Sequence, residues 1–161
     1  MTIEKIYEIL ETVSDPEIPV LTILDLGIVR NVKLDAVSGE VEVVITPTYS
    51  GCPAMDFIEV NIRAALEEAG ISDAKITTTL SPAWTTNWLT ESGKAKLKEY
   101  GIAPPVGNAD KLSLLGEKTA VECPRCGSTD TRLVSQFGST ACKALYQCKS
   151  CLEPFDYFKC H

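Results

Sequence analysis

Four cysteines toward the end of the chain have the spacing of a metal site. Cys123-Pro-Arg-Cys126 and Cys148-Lys-Ser-Cys151 are two C-x-x-C pairs with twenty-one residues between them. Two residues between thiolates let one tight turn present both sulfurs to a single ion, and a second pair across a β-hairpin completes a tetrahedron. Gly127 directly follows the first pair and suits a backbone that bends over a metal. A closed four-thiolate set leaves no coordination position open. The expectation is therefore a structural zinc held by Cys123, Cys126, Cys148 and Cys151 in a small ribbon. The alternative of four unmetallated thiols fits the paired spacing poorly. Chemistry has to be sought elsewhere in the chain.

The richest other segment is Thr46-Pro-Thr-Tyr-Ser-Gly-Cys52-Pro53. It runs from the end of an apolar β-like stretch to the start of a helical one. Pro53 suits a first helical position, and Gly51 permits a tight approach. A thiol at a helix start meets free N–H groups, so Cys52 is a candidate metal ligand, cluster-contacting thiol or nucleophile. The plainer alternative is a small, half-buried turn residue. Asp15-Pro16-Glu17 and Asp25-Leu26-Gly27 set acids in loop-like segments. Carboxylates there could bind iron or tune a thiol, although capping a turn is the commoner duty of such aspartates. Ser81-Pro-Ala-Trp84-Thr-Thr-Asn-Trp88 carries two tryptophans in eight residues. They suit either a contact surface or the edge of a core. Cys142, Cys160 and His161 remain; the two cysteines suit a second thiol site with Cys52 or small core residues of the ribbon. His161 is the single histidine, so no multi-histidine metal centre can be built from this chain.

Periodicity supplies the elements that must position these groups. Ile3, Ile6, Tyr7, Leu10 and Val13 recur at helical spacing and predict a short first helix. Ser14 to Pro19 ends it. Val29–Leu34 and Val41–Ile45 read as strands joined by the turn residues Asp35 to Gly39. A helix follows Cys52-Pro53, with Met55, Ile58, Ile62, Leu66 and Ala69 as its apolar stripe and Gly70 beyond its end. Asp56, Glu59, Arg63 and Glu67 form its wet side. Ala74 to Leu80 alternates as a third strand, and Thr90 caps a lysine-rich helix ending at Gly101. The order helix, strand, strand, helix, strand implies a small two-layer α+β domain over residues 1–101. Short hairpin connections argue against a doubly wound dinucleotide fold. Residues 102–120, with Pro104-Pro105 and Gly107, read as a linker, and 121–161 as the ribbon, whose core needs its five clustered aromatics, Phe137 to Phe158.

Composition narrows the function classes. The net charge is −7 over 161 residues. Residues 1–120 hold 10 basic and 18 acidic side chains, and residues 121–161 hold 5 and 4. An acidic body opposes phosphate-backbone binding, so no nucleic-acid partner is expected. No apolar run reaches membrane-spanning length, the start shows no signal-peptide core, and an odd seven cysteines fit a reducing cytoplasm.

Asp15-Pro-Glu17, Asp25-Leu-Gly-Ile-Val29 and the Thr46–Pro53 segment together resemble the SufT-like iron–sulfur assembly-factor domain. Phe137-Gly-Ser-Thr-Ala-Cys142-Lys-Ala-Leu-Tyr-Gln-Cys148 and Glu153-Pro-Phe-Asp-Tyr-Phe-Lys-Cys160-His161 resemble the zinc ribbon of the PaaD (PaaJ) family of phenylacetate degradation. The resemblance implies an accessory role in phenylacetyl-CoA ring-1,2-epoxidation, supporting iron–sulfur or di-iron centre assembly with no epoxidising activity of the chain's own. It implies Cys52 as the functional cysteine, with Asp15 as the acidic loop residue and Thr46 as the strand-end threonine, facing a transient iron or iron–sulfur cluster. Implied partners are the oxygenase subunits and the iron–sulfur flavin reductase. The rival readings are a docking or structural subunit of the oxygenase, a nucleic-acid-binding ribbon, and a thiol enzyme using Cys52, which would lack a nearby histidine base.

Overall fold

The computed structural model describes residues 1–106 and 120–159. Most of the stretch read as a linker, together with Cys160 and His161, lies outside the described residues. The chain forms two compact units, Met1–Trp84 and Thr85–His161.

The first unit opens with α1 (Ile3–Leu10), capped by the Thr2 hydroxyl, which accepts from the Lys5 N–H. Strands β1 (Val29–Leu34) and β2 (Val41–Ile45) form the expected hairpin, with Val32 opposite Val43. Then α2 (Ala54–Glu68) leads to β3 (Lys75–Thr78), which pairs parallel with β2 to give the order β1-β2-β3. The sheet thus combines one hairpin with one crossover, where the short segments favour hairpins over long crossovers. The fifteen-residue α2 supplies the length that a parallel return requires. One sheet face is apolar, with Val32, Val41, Val43 and Ile45 buried. On the opposite face Glu42 pairs with Lys33 at 2.7 Å and accepts from the Thr77 hydroxyl at 2.9 Å. Ile6 and Leu10 of α1 and Ala54, Ile58, Ile62 and Leu66 of α2 complete the core. The i, i+4 spacing on α2 makes one continuous buried stripe.

In the second unit α3 (Glu91–Tyr100) is capped by Thr90 and ended by Gly101 at φ +90°. It packs beside β4 (Ile102–Ala103). This places α3 with the ribbon's sheet, and makes a strand of two residues read as linker. The remaining strands are β5 (Thr131–Ser135), β6 (Lys143–Cys148) and β7 (Pro154–Phe158), in sheet order β4-β7-β6-β5. Ala103, Val121, Ala144, Phe155 and Tyr157 form a small core around Cys123 and Cys148. Tyr146 stacks on Phe155 and meets Tyr157 edge-on, with centroids 6.0 and 5.4 Å apart. The aromatics of β6 and β7 therefore build the ribbon's interior, as a sheet this small requires. Among the described residues no helix is long and apolar enough to cross a membrane.

Candidate metal centre and strand-end thiol site

The two C-x-x-C pairs fold as matching knuckles. In the first, the Cys123 N–H donates to the Ser128 carbonyl and the Gly127 N–H to that of Cys123, both at 2.9 Å. In the second, the Cys148 N–H donates to the Glu153 carbonyl at 3.0 Å. Gly127 turns the first knuckle at φ +76°, and Leu152 takes the equivalent place in the second at φ +65°. Leu152 is the one non-glycine residue at positive φ among the described residues. The knuckles are tied by a 2.8 Å hydrogen bond between the Ser128 and Ser150 hydroxyls.

This framework gathers the four sulfurs within 4.8 Å of one another. Cys123 Sγ lies 3.8 Å from Cys151 Sγ, and Cys126 Sγ lies 3.6 Å from Cys148 Sγ. Tetrahedral zinc with bonds of about 2.3 Å sets sulfurs roughly 3.8 Å apart, so the donor set fits that ion. Without a cation the thiols share protons unevenly. The Cys151 N–H, which reaches Cys148 Sγ at 3.4 Å, helps bring the Cys148 thiol down to about 6. The Glu153 N–H favours the Cys151 thiolate, but desolvation and the neighbouring sulfurs outweigh it and push that thiol up to about 12. Cys126 is also raised: the Ser128 N–H opposes this, and the proton shared with Cys148 prevails. Four crowded thiols therefore resist becoming four thiolates unless a cation neutralises them. With all four sulfurs committed, the centre has no open position for substrate.

The first unit brings different chemistry together at one end of its sheet. The Thr46 N–H, just past β2, donates to the Ile28 carbonyl, just before β1, and the Thr79 N–H, just past β3, donates to the Ile45 carbonyl, each at 2.9 Å. Three loops, 22–28, 46–53 and 79–84, consequently meet there. The Trp84 indole N–H clamps the first and third by donating to the Leu26 carbonyl at 2.7 Å. This end carries the carboxyl termini of the parallel pair β2 and β3, the place where open sheets with parallel strands receive ligands. Cys52 lies on the middle loop, half-buried, one residue before Pro53, the N-cap of α2. Its N–H donates to the Tyr49 carbonyl at 3.3 Å, and its own carbonyl accepts from Met55 at 3.2 Å. Gly51 beside it takes φ +79°. Thr46 is buried, and its hydroxyl has no hydrogen-bond partner among the described residues. A buried hydroxyl left unpaired costs about 1–3 kcal/mol.

The aspartates are turn builders. Asp15 is buried and one carboxylate oxygen accepts from the Glu17 and Ile18 N–H groups, both at 2.8 Å. Asp25 and Thr22 cap each other reciprocally at 3.1 Å. Thr46 and Cys52 thus share one loop at the sheet end, whereas Asp15 shapes the turn after α1. Trp84 is a core residue, 5 % exposed, so of its two readings the core edge holds and the contact surface is corrected: its indole bond and burial close the loop cluster. Phe155, Tyr157 and Phe158 are buried, as the core reading of the ribbon's aromatics expects, whereas Phe137 is exposed. Cys142 is buried in the ribbon, its sulfur 3.0 Å from the Thr140 hydroxyl. The resemblance already named Thr46 and Cys52; motif reading missed that they stand at the ends of a parallel strand pair, for which the length of the helix between β2 and β3 was the available signal.

Comparison with known proteins matches both units. Residues 3–77 match the family described as iron–sulfur cluster assembly protein, and residues 107–159 match the PaaD zinc beta ribbon domain. Over 159 residues, covering 98% of this chain and 93% of the relative, the sequence is 52% identical to an Escherichia coli protein named as one of the subunits of 1,2-phenylacetyl-CoA epoxidase. It is 40% identical over 97 residues, 60% of this chain and 90% of the relative, to an Fe-S protein maturation auxiliary factor of Porphyromonas gingivalis. Among solved structures, a domain of unknown function DUF59 from Bacillus anthracis aligns with 58% of this chain and 89% of its own at TM-score 0.55 and 26% identity. A conserved hypothetical protein of Thermotoga maritima aligns with 60% and 94% at TM-score 0.52 and 26% identity. An iron–sulfur assembly domain joined to a four-cysteine zinc ribbon, with near full-length identity of this order, places the chain in the PaaD family.

Proposed function

We propose that this chain is a cytoplasmic accessory protein of a phenylacetyl-CoA ring-1,2-epoxidase and that it supports assembly of the complex's iron–sulfur or di-iron centres. The observation that carries the reading is the loop cluster at the ends of β2 and β3. There a half-buried thiol and an orphaned buried hydroxyl share one loop at the start of a helix. Cys52 would contact iron or an iron–sulfur cluster as cargo. Thr46 would offer its hydroxyl from the strand end, and Asp15 would hold the neighbouring turn in shape. The maturation-factor name of a 40% identical relative that this chain covers by 90% supports the same reading. Cys123, Cys126, Cys148 and Cys151 would hold one zinc, which supplies cross-linking and no reaction.

On this reading the Met1–Trp84 unit serves as the assembly factor, and the second unit, in which α3 and β4 join the ribbon's sheet, serves as the docking module. The oxygenase subunits or the iron–sulfur flavin reductase would be the partners. The name of the 52% identical relative favours a second reading, a stoichiometric structural component of the oxygenase. Co-expressing the epoxidase components with and without this protein separates the two. The maturation reading expects components low in iron and sulfide when the protein is absent, and sub-stoichiometric co-purification when it is present. Fully metallated components made without it would overturn that reading.

A further inference from the structure

Helix α2 carries two apolar stripes, and the core uses only one. Ala54, Ile58, Ile62 and Leu66 are buried. Pro53, Phe57, Val60 and Ala64 follow the i, i+4, i+7, i+11 course on the far side of the same helix, and all are exposed. Phe57 is 63 % and Val60 64 % exposed. Isolated surface hydrophobes need no explanation, but a helical stripe rimmed by charge does. The rim is acidic. Asp56, Glu67 and Glu68 are exposed beside the stripe, and the nearby Arg63 is paired with Glu59 at 3.1 Å. The whole first unit is acidic as well: residues 1–84 hold 5 basic and 14 acidic side chains, a balance of −9.

We propose that this outer face of α2 is a docking surface for a basic amphipathic helix of a client protein. The apolar side of that helix would cover Phe57 and Val60, and its lysines or arginines would meet Asp56, Glu67 and Glu68. Charge complementarity selects this occupant. A second copy would bring another −9 against the first. Four side chains, two of them small, also cover far less than the roughly 1,000 Å² that a stable dimer needs. The stripe starts at Pro53, the residue after Cys52, so a docked client is held beside the thiol. The inference rests on the accessory reading above and names the kind of partner that the same site receives.

The test uses the full-length protein and a fluorescent 14-residue peptide of leucines and lysines, with leucines at i, i+3, i+4, i+7 spacing. A peptide of the same composition with its leucines out of helical phase is the control. Wild type is expected to bind the in-phase peptide at least about tenfold more tightly than the control. Phe57→Ser/Val60→Ser is expected to lose roughly tenfold of that affinity, with unchanged circular dichroism and zinc content. Equal binding by wild type and the double variant overturns the proposal, as does no preference for the in-phase peptide. A wild-type dimer in sedimentation that the double variant dissolves also overturns it, and assigns the stripe to a second copy. No epoxidase is present in this assay, so its outcome is independent of whether the maturation reading survives its own test.

Discussion

Both cysteine sites of this chain are built on tight turns, and they are built for opposite ends. In the ribbon, two knuckles aim four sulfurs at one point and leave no donor over. At the sheet end of the first unit, a single thiol sits half-buried at a helix start, on the same loop as a hydroxyl that nothing among the described residues satisfies. On the reading proposed above, saturation makes the first a cross-link and incompleteness makes the second a binding place. The number of cysteines is thus a poor guide to where the activity lies.

The largest effect expected is on the saturated site. Binding of a structural zinc is worth on the order of 10 kcal/mol at neutral pH and counts directly toward folding. Cys148→Ser, or a strong chelator, should melt the second unit while the circular dichroism of α1 and α2 persists. Proteolysis fragments identified by mass would show the surviving first unit. Loss of both units together would mean that the two sites are not separable as argued.

A smaller loss is expected for Trp84→Phe. The change removes the indole N–H, strands the buried Leu26 carbonyl and leaves a small cavity, a cost of about 1–3 kcal/mol. Urea denaturation should report it in the first unit's transition only. A variant as stable as wild type would show that the indole hydrogen bond does not hold the loop cluster closed.

The knuckles differ at one residue, and that difference can be erased. Leu152→Gly puts glycine at φ +65°, the equivalent of Gly127. It should raise the ribbon's stability by about 1 kcal/mol or less, because a side chain in the left-handed region costs roughly 1–2 kcal/mol and glycine returns some of that as chain entropy. A loss of zinc affinity instead would show that the leucine side chain matters to the centre.

The smallest stability change, and the sharpest functional one, is expected at the open site. Thr46→Val replaces an unpaired buried hydroxyl with a methyl group of similar shape, so stability should stay within about 1 kcal/mol of wild type or rise. Support of epoxidase metallation should fall. Unchanged metallation would reduce Thr46 to a packing residue.

How much of this was legible in the sequence follows the range of each interaction. The hairpin Val29–Leu34 and Val41–Ile45 and the caps Thr90 and Gly101 appear where local pattern places them, because alternation and capping act over a few residues. The knuckles were legible because metal geometry fixes sequence spacing. The parallel partner of β2 was not, since a β-like run does not say which strand it joins. Nor was the choice between core and surface for Trp84, which depends on a carbonyl 58 residues away. Phe57 and Val60 were hidden for a related reason. Both are apolar, and only the packed α1 and sheet decide which stripe of α2 is covered. The orphaned Thr46 hydroxyl is a fact about missing neighbours, which no one-dimensional pattern records.

The central claim is that the unsaturated thiol site carries the function and the saturated one only the fold. Cys52→Ser tests it most directly, because serine keeps the size and removes the soft ligand. Epoxidase components would be co-expressed with wild type or with Cys52→Ser, and their iron and sulfide measured beside the zinc content of the accessory chain. The account predicts full zinc and an intact fold in the variant, with epoxidase iron and sulfide reduced to the level found when the protein is absent. Wild-type iron and sulfide in components matured by Cys52→Ser would contradict it.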